Sequence, residues 1–140
     1  MLQIDHIGIA VKELASSVTL FEKLLNSECY KTEKVESENV TTAFFKTGET
    51  KIELLESNTT DGIIARYIAK KGEGIHHIAF EVGDIYAEME RLKKEGFTLL
   101  NEFPKQGADN KLVCFLHPKD IHGVLIELTM ENKKNPDKVS

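Results

Sequence analysis

The sequence predicts an α+β fold in which two βαβββ modules pair into a curved mixed sheet. Three observations predict it. The stretch DHIGIAV (5–11) is answered by HHIAFEV (76–82), and KIELLE (51–56) by VLIELT (124–129). Each of these stretches alternates with the period of two that marks a strand, and helical spacing lies between them. The shift from 6 to 77 is 71 positions, and VTTAFF (40–45) and KLVCFL (111–116) keep it. From 53 to 127 the shift is 74, so the second hairpin has the longer turn. A repeat of this kind sets the layout before any single element is assigned.

The elements follow in order. Gln3–Val11 alternates as a strand, with Ile7, Ile9 and Val11 on one face and Ile4, His6, Gly8 and Ala10 on the other. Leu14, Val18, Phe21 and Leu25 then fall on one helical stripe. Strands are expected near Glu28–Glu36, Val40–Lys46 and Lys51–Glu56, with Thr47-Gly48-Glu49 as the hairpin turn. Repeat one covers about 1–60, a connector 61–74 and repeat two about 75–131, all in one domain of 1–131. Ile63, Ile64, Tyr67 and Ile68 give the connector a short amphipathic helix that ends at Lys70-Lys71-Gly72. In repeat two, Ile75–Val82 is a strand, Asp84 caps a helix over Ile85–Glu95, and Gly96 closes it. Further strands are expected at Phe97–Phe103, Lys111–Leu116 and Gly123–Met130. The remainder, 132–140, reads as a polar, disordered tail.

Composition narrows the function classes. The 140 residues carry a net charge of −5 and 41% hydrophobic residues, which suits a packed domain and not a nucleic-acid surface. No apolar run approaches the roughly 20 residues of a membrane span. The start, MLQIDHIGIA, lacks a basic region followed by an apolar one, so no secretion signal is expected. Cys29 and Cys114 form no CxxC, and two free thiols fit a reducing cytoplasm.

Four residues carry the chemistry: His6 and Glu53 in repeat one, His77 and Glu127 in repeat two. Singly, a histidine or glutamate on a strand is more often structural. The pair recurs at matching positions, however, and the histidine faces also carry Gly8, Ala10 and Ala79, which leave room beside them. A sheet curled around this face makes a cavity holding all four. Two imidazoles and two carboxylates suit a borderline divalent ion: Co²⁺, Ni²⁺, Mn²⁺, Fe²⁺ or Zn²⁺, with Mg²⁺ a further candidate. Without a thiolate in the set, a structural zinc site is not expected. Four ligands on an octahedral ion leave two adjacent positions for a substrate that chelates through two oxygens, and the ion then acts as a Lewis acid on an enolate. His76 points to the opposite face from His77. His117 lies beside the Pro118 turn, where it can approach a ligand at the mouth of the cavity.

These stretches, together with GEGIHHIAFEV (72–82), FLHPK (115–119) and GVLIEL (123–128), resemble the methylmalonyl-CoA epimerases of the vicinal oxygen chelate superfamily. The similarity runs over nearly all of 1–131. It implies paired βαβββ modules, a divalent metal, an acyl-CoA thioester substrate, and often a homodimer. His6, Glu53, His77 and Glu127 match the metal ligands, and Glu127 also matches an acid/base of these enzymes. Some epimerases carry a second catalytic Glu where this chain has Thr42, and a threonine hydroxyl is a poor base at neutral pH. Asn39 and Asn110 stand where glycine is common, and Asn tolerates the left-handed backbone. Substrate contacts are weakly encoded: His117 and Lys119 are candidates, and Lys105, Lys111 and Lys119 can reach CoA phosphates.

Three rival functions follow from the same fold. A glyoxalase I-type lactoylglutathione lyase shares the metal geometry, but its usual Arg is replaced by Ala10. Its Asp-Pro-Asp-Gly turn is replaced by His117-Pro118-Lys119 through Gly123. A ligand-sequestering, non-enzymatic member of the fold would often lack the metal residues, and a dioxygenase would use two His and one carboxylate.

Overall fold

The computed structural model describes residues 1–134. The described chain is mixed α+β, with three α-helices and eight strands that form two βαβββ modules. It divides into two compact units, one spanning His6–His76, the other combining Met1–Asp5 with the chain from His77 onward.

The first unit contains β1 (Gln3–Ala10, from His6), α1 (Leu14–Leu25), β2 (Lys31–Val35), β3 (Val40–Thr47), β4 (Thr50–Ser57) and α2 (Ile63–Lys71). Its strands lie in the order β2-β3-β4-β1, with β1 and β4 parallel and the other pairs antiparallel. Alternation sorts the two faces. Val11, Ala43, Phe45 and Leu54 form a core against Leu14, Val18, Phe21 and Leu25 of α1. The opposite face receives Thr42 and Phe44 from β3 and Glu53 from β4, with Phe44 directly across from Glu53. Helix α1 stops at Asn26, which takes a left-handed φ of 51°. The β3–β4 hairpin turns tightly at Gly48, whose φ of 68° is the conformation that favours glycine in such turns.

The second unit repeats the pattern with β5 (Gly74–Glu81, from His77), α3 (Ile85–Lys94), β6 (Lys105–Gln106), β7 (Lys111–Leu116) and β8 (Ile126–Glu131). The strand order is β5-β8-β7-β6, with β5 and β8 parallel. Asp84 caps α3 by accepting from the N–H groups of Tyr86 and Ala87 at 3.0 and 3.2 Å. Ile85, Met89 and Leu92 of α3 pack on Cys114, Leu116, Ile126 and Leu128. His77, Phe115, Glu127 and Thr129 alternate against these and occupy the other face of their strands. The chain start closes this unit, where Leu2 N–H donates to Glu81 O at 2.8 Å and Gln3 Nε2 to Glu81 Oε1 at 2.9 Å.

One sequence expectation needs correction. No strand forms over Phe97–Phe103. The segment starts a ladder beside β7, with Leu100 N–H donating to Phe115 O and His117 N–H to Thr98 O, both at 2.8 Å. The ladder then breaks because the Asn101 side chain, not a backbone carbonyl, takes the Phe115 N–H at 2.9 Å, and Pro104 has no N–H to offer. Ordered contacts continue past β8. Asn132 is tied into the fold by its N–H to Asn110 O at 3.0 Å and its Nδ2 to Gln106 Oε1 at 2.6 Å. The disorder expected further along the tail concerns residues 135–140, which lie outside the described residues.

Candidate active site

Each unit brings one imidazole and one carboxylate together on the face away from its helix. In the first, His6 Nδ1 lies 3.2 Å from Glu53 Oε2; in the second, His77 Nε2 lies 3.2 Å from Glu127 Oε1. All four residues are 5–6% exposed. Strand register accounts for the placement: Gly8 sits beside Glu53 in the parallel β1–β4 pair, and Ala79 beside Glu127 in β5–β8. A small residue next to each glutamate leaves its carboxylate unobstructed.

Burying a carboxylate costs several kcal/mol unless it is paired or coordinates a cation. The pair geometry fits shared coordination. With ligand bonds of about 2.1 Å, neighbouring donor atoms stand about 3.0 Å apart on an octahedral ion and about 3.4 Å apart on a tetrahedral one. The observed 3.2 Å falls between these values in both units. The donors are nitrogen and oxygen, which suit borderline divalent ions. Cysteine takes no part. Cys114 faces the α3 core, and burial pushes its thiol up to about 11, so it stays protonated at neutral pH.

The repeat extends beyond these pairs. Phe44 stands across from Glu53, and Phe115 across from Glu127. One rung further on, Thr42 faces Leu55 in the first unit and Thr129 faces Val113 in the second, so the hydroxyl has changed strands. Thr42 is 1% exposed and Thr129 0%, and neither Oγ1 has a hydrogen-bond partner among the described residues. A buried hydroxyl in this state costs about 1–3 kcal/mol. Thr129 was not singled out from the sequence, although the alternation in VLIELT sets it on the same face as Glu127.

The other candidates lie elsewhere. His117 and Lys119 belong to the turn after β7, where His117 Nδ1 accepts from Lys119 N–H at 3.0 Å and caps the single turn Pro118–Asp120. His76 packs edge-on against Tyr67 of α2, with ring centroids 4.9 Å apart. Asn39 and Asn110 take up φ values of 54° and 53°, the left-handed geometry that Asn tolerates.

Comparison with known proteins places the chain in a family. The profile of the Glyoxalase/Bleomycin resistance protein/Dioxygenase superfamily matches residues 5–115. An ethylmalonyl-CoA/methylmalonyl-CoA epimerase of Cereibacter sphaeroides is 39% identical over 128 residues, covering 90% of this chain and 96% of that protein. The chain belongs to the methylmalonyl-CoA epimerase family. Members of this epimerase family are isomerases, and solved structures of them share the fold. A Streptomyces coelicolor methylmalonyl-CoA epimerase variant bound to 2-nitronate-propionyl-CoA superposes with a TM-score of 0.90 at 36% identity, covering 94% of this chain and 99% of that one. A methylmalonyl-CoA epimerase in complex with methylmalonyl-CoA and NH4+ gives a TM-score of 0.90 at 35% identity, covering 95% and 96%. No described helix is long and apolar enough to cross a membrane.

Proposed function

We propose that this chain epimerises methylmalonyl-CoA at C2 in a metal-dependent reaction that passes through an enolate. The observation that carries this reading is the matched, buried His–Glu pair in each unit at the same 3.2 Å separation. On this reading His6, Glu53, His77 and Glu127 together hold one divalent ion. When bound, the ion supplies a Lewis acid that draws electron density from the thioester and carboxylate oxygens of the substrate and so acidifies the C2 hydrogen.

The chain's own residues handle the proton. Glu127, whose Oε1 lies 3.2 Å from His77 Nε2, is the base that accepts the C2 proton. Inversion requires a proton returned to the opposite face. Thr42 stands in place of the second glutamate of some epimerases; its hydroxyl is no base, but it donates and accepts hydrogen bonds. Its role is to hold the water that returns the proton. The proton taken by Glu127 and the one delivered by water balance after exchange with solvent. The reading includes a homodimer working in a reducing cytoplasm, in keeping with the two free cysteines.

The test is an assay of purified protein with (2R)- or (2S)-methylmalonyl-CoA in D₂O, with and without chelator. Deuterium should enter C2 only with metal present. A protein that exchanges no C2 hydrogen when loaded with metal, but converts the hemithioacetal of methylglyoxal and glutathione, would be a lyase instead.

A further inference from the structure

The repeat contains a cation as well as a metal-ligand pair. In the first unit Lys31 pairs in register with Phe44, and its Nζ lies 4.7 Å from the centre of that ring; Phe44 in turn pairs with the ligand Glu53. In the second unit Lys105 lies on β6 across from Val113, which puts it on the same face as Phe115. Its Nζ lies 5.8 Å from the centre of the Phe115 ring. Phe115 pairs with Glu127 and meets His77 edge-to-face, with ring centres 5.8 Å apart. Each unit thus runs Lys, Phe, Glu, His across its sheet.

Lys31 Nζ has the Glu33 carboxylate at 3.7 Å on its own strand. Lys105 is held against Phe115, and β6 is braced by Gly107 N–H donating to Lys111 O at 2.8 Å and by Asn132 Nδ2 donating to Gln106 Oε1 at 2.6 Å. A cation fixed on an aromatic face is already oriented, so little further ordering is needed when it meets an anion.

We infer that Lys105 is the anchor for the free carboxylate of a malonyl-type thioester. The inference rests on the epimerase reading and names a substrate contact within it. The ammonium is separated from the centre of the His77 ring by no more than two 5.8 Å steps through Phe115. That reach covers the acyl end of the substrate and falls short of an extended pantetheine arm, at whose far end the CoA phosphates lie. The charge logic agrees. A substrate carboxylate arriving beside Glu127 meets a like charge, and a nearby ammonium offsets it. A carboxylate bound through one oxygen to an ion keeps lone pairs for a second, charge-assisted donor.

The experiment is calorimetric titration of the metal-loaded protein with methylmalonyl-CoA, with propionyl-CoA, which lacks the carboxylate, and with methylmalonyl-pantetheine, which lacks the phosphates. Lys105→Met keeps the apolar stem over Phe115 and removes the charge, and Lys105→Arg restores it. Lys105→Met should weaken both methylmalonyl ligands about tenfold or more and leave propionyl-CoA unmoved, with Lys105→Arg recovering most of the loss. Loss for both CoA thioesters but not for the pantetheine ester would show a phosphate contact and overturn the assignment, as would no loss for any ligand. A wild-type protein that binds methylmalonyl-CoA no better than propionyl-CoA would instead overturn the epimerase reading itself, and this inference with it.

Discussion

Replacing Thr129 by valine should not destabilise the ligand-free protein, although Thr129 is 0% exposed and sits in the middle of β8. The two side chains are both β-branched and nearly the same size, so no cavity opens and strand propensity is retained. What changes is the hydroxyl. In the native fold its Oγ1 is buried with no hydrogen-bond partner among the described residues, whereas in the unfolded chain water satisfies it. That imbalance costs the native state about 1–3 kcal/mol, and the methyl group of valine removes it. Allowing for incomplete relaxation, the expected gain is about 1 kcal/mol, or about 3–4 °C in Tm for a chain of this size. Thermal unfolding followed by circular dichroism, repeated as urea titrations to give the midpoint and slope, measures it. A loss of about 1 kcal/mol or more with an unchanged slope would refute the reasoning, because only a hydroxyl with a good partner costs that much to delete. Thr42→Val makes the same stability argument for the substrate-free protein, where Oγ1 is likewise unpartnered among the described residues, and under the proposed role, in which Thr42 holds a water once substrate is bound, it should also slow turnover.

Further outcomes are expected elsewhere in the molecule. Cys114, with its thiol pushed up to about 11 by burial, should resist iodoacetamide at pH 8 in the folded protein and react only after denaturation, as peptide mass mapping can follow. Asp120 accepts the Thr98 N–H at 2.7 Å, and that bond lowers its pKa. A depressed carboxyl contributes stability above its unfolded pKa and loses it as pH falls through the folded value, so Asp120→Asn should flatten the acid limb of the pH–stability curve. A Cβ on Gly107 would lie 2.9 Å from Val113 Cγ1, so Gly107→Ala should push β6 off β7 and weaken methylmalonyl-CoA binding without touching Lys105 itself, which calorimetry would show.

The proposed metal ligands are legible in the sequence because they repeat. The His–Glu pairs recur with the strand alternation intact, and alternation alone decides which face each side chain takes. The same rule places Ile9 and Val11 against α1, and Ile78, Phe80 and Val82 against α3. The cap at Asp84 was equally local: one side chain and two neighbouring N–H groups. What escaped was decided by tertiary contacts. Asn101 ends the ladder at Phe97–Phe103 only because its side chain reaches Phe115, fourteen positions away. Asn132 belongs to the fold because Gln106 and Asn110 reach it. Thr129 looks like any strand threonine until every neighbour is known to offer it nothing. Lys105 reads as one more exposed lysine until β6 is seen to set it over Phe115.

In the proposed function the two matched pairs serve one ion. Metal content per chain measures it most directly, using protein loaded with a single divalent metal, desalted and analysed by plasma mass spectrometry alongside Glu53→Ala and Glu127→Ala. The account predicts one ion per chain in the wild type and loss of that ion in each single variant. Two ions per chain, or an ion kept by one pair when the other is broken, would contradict it.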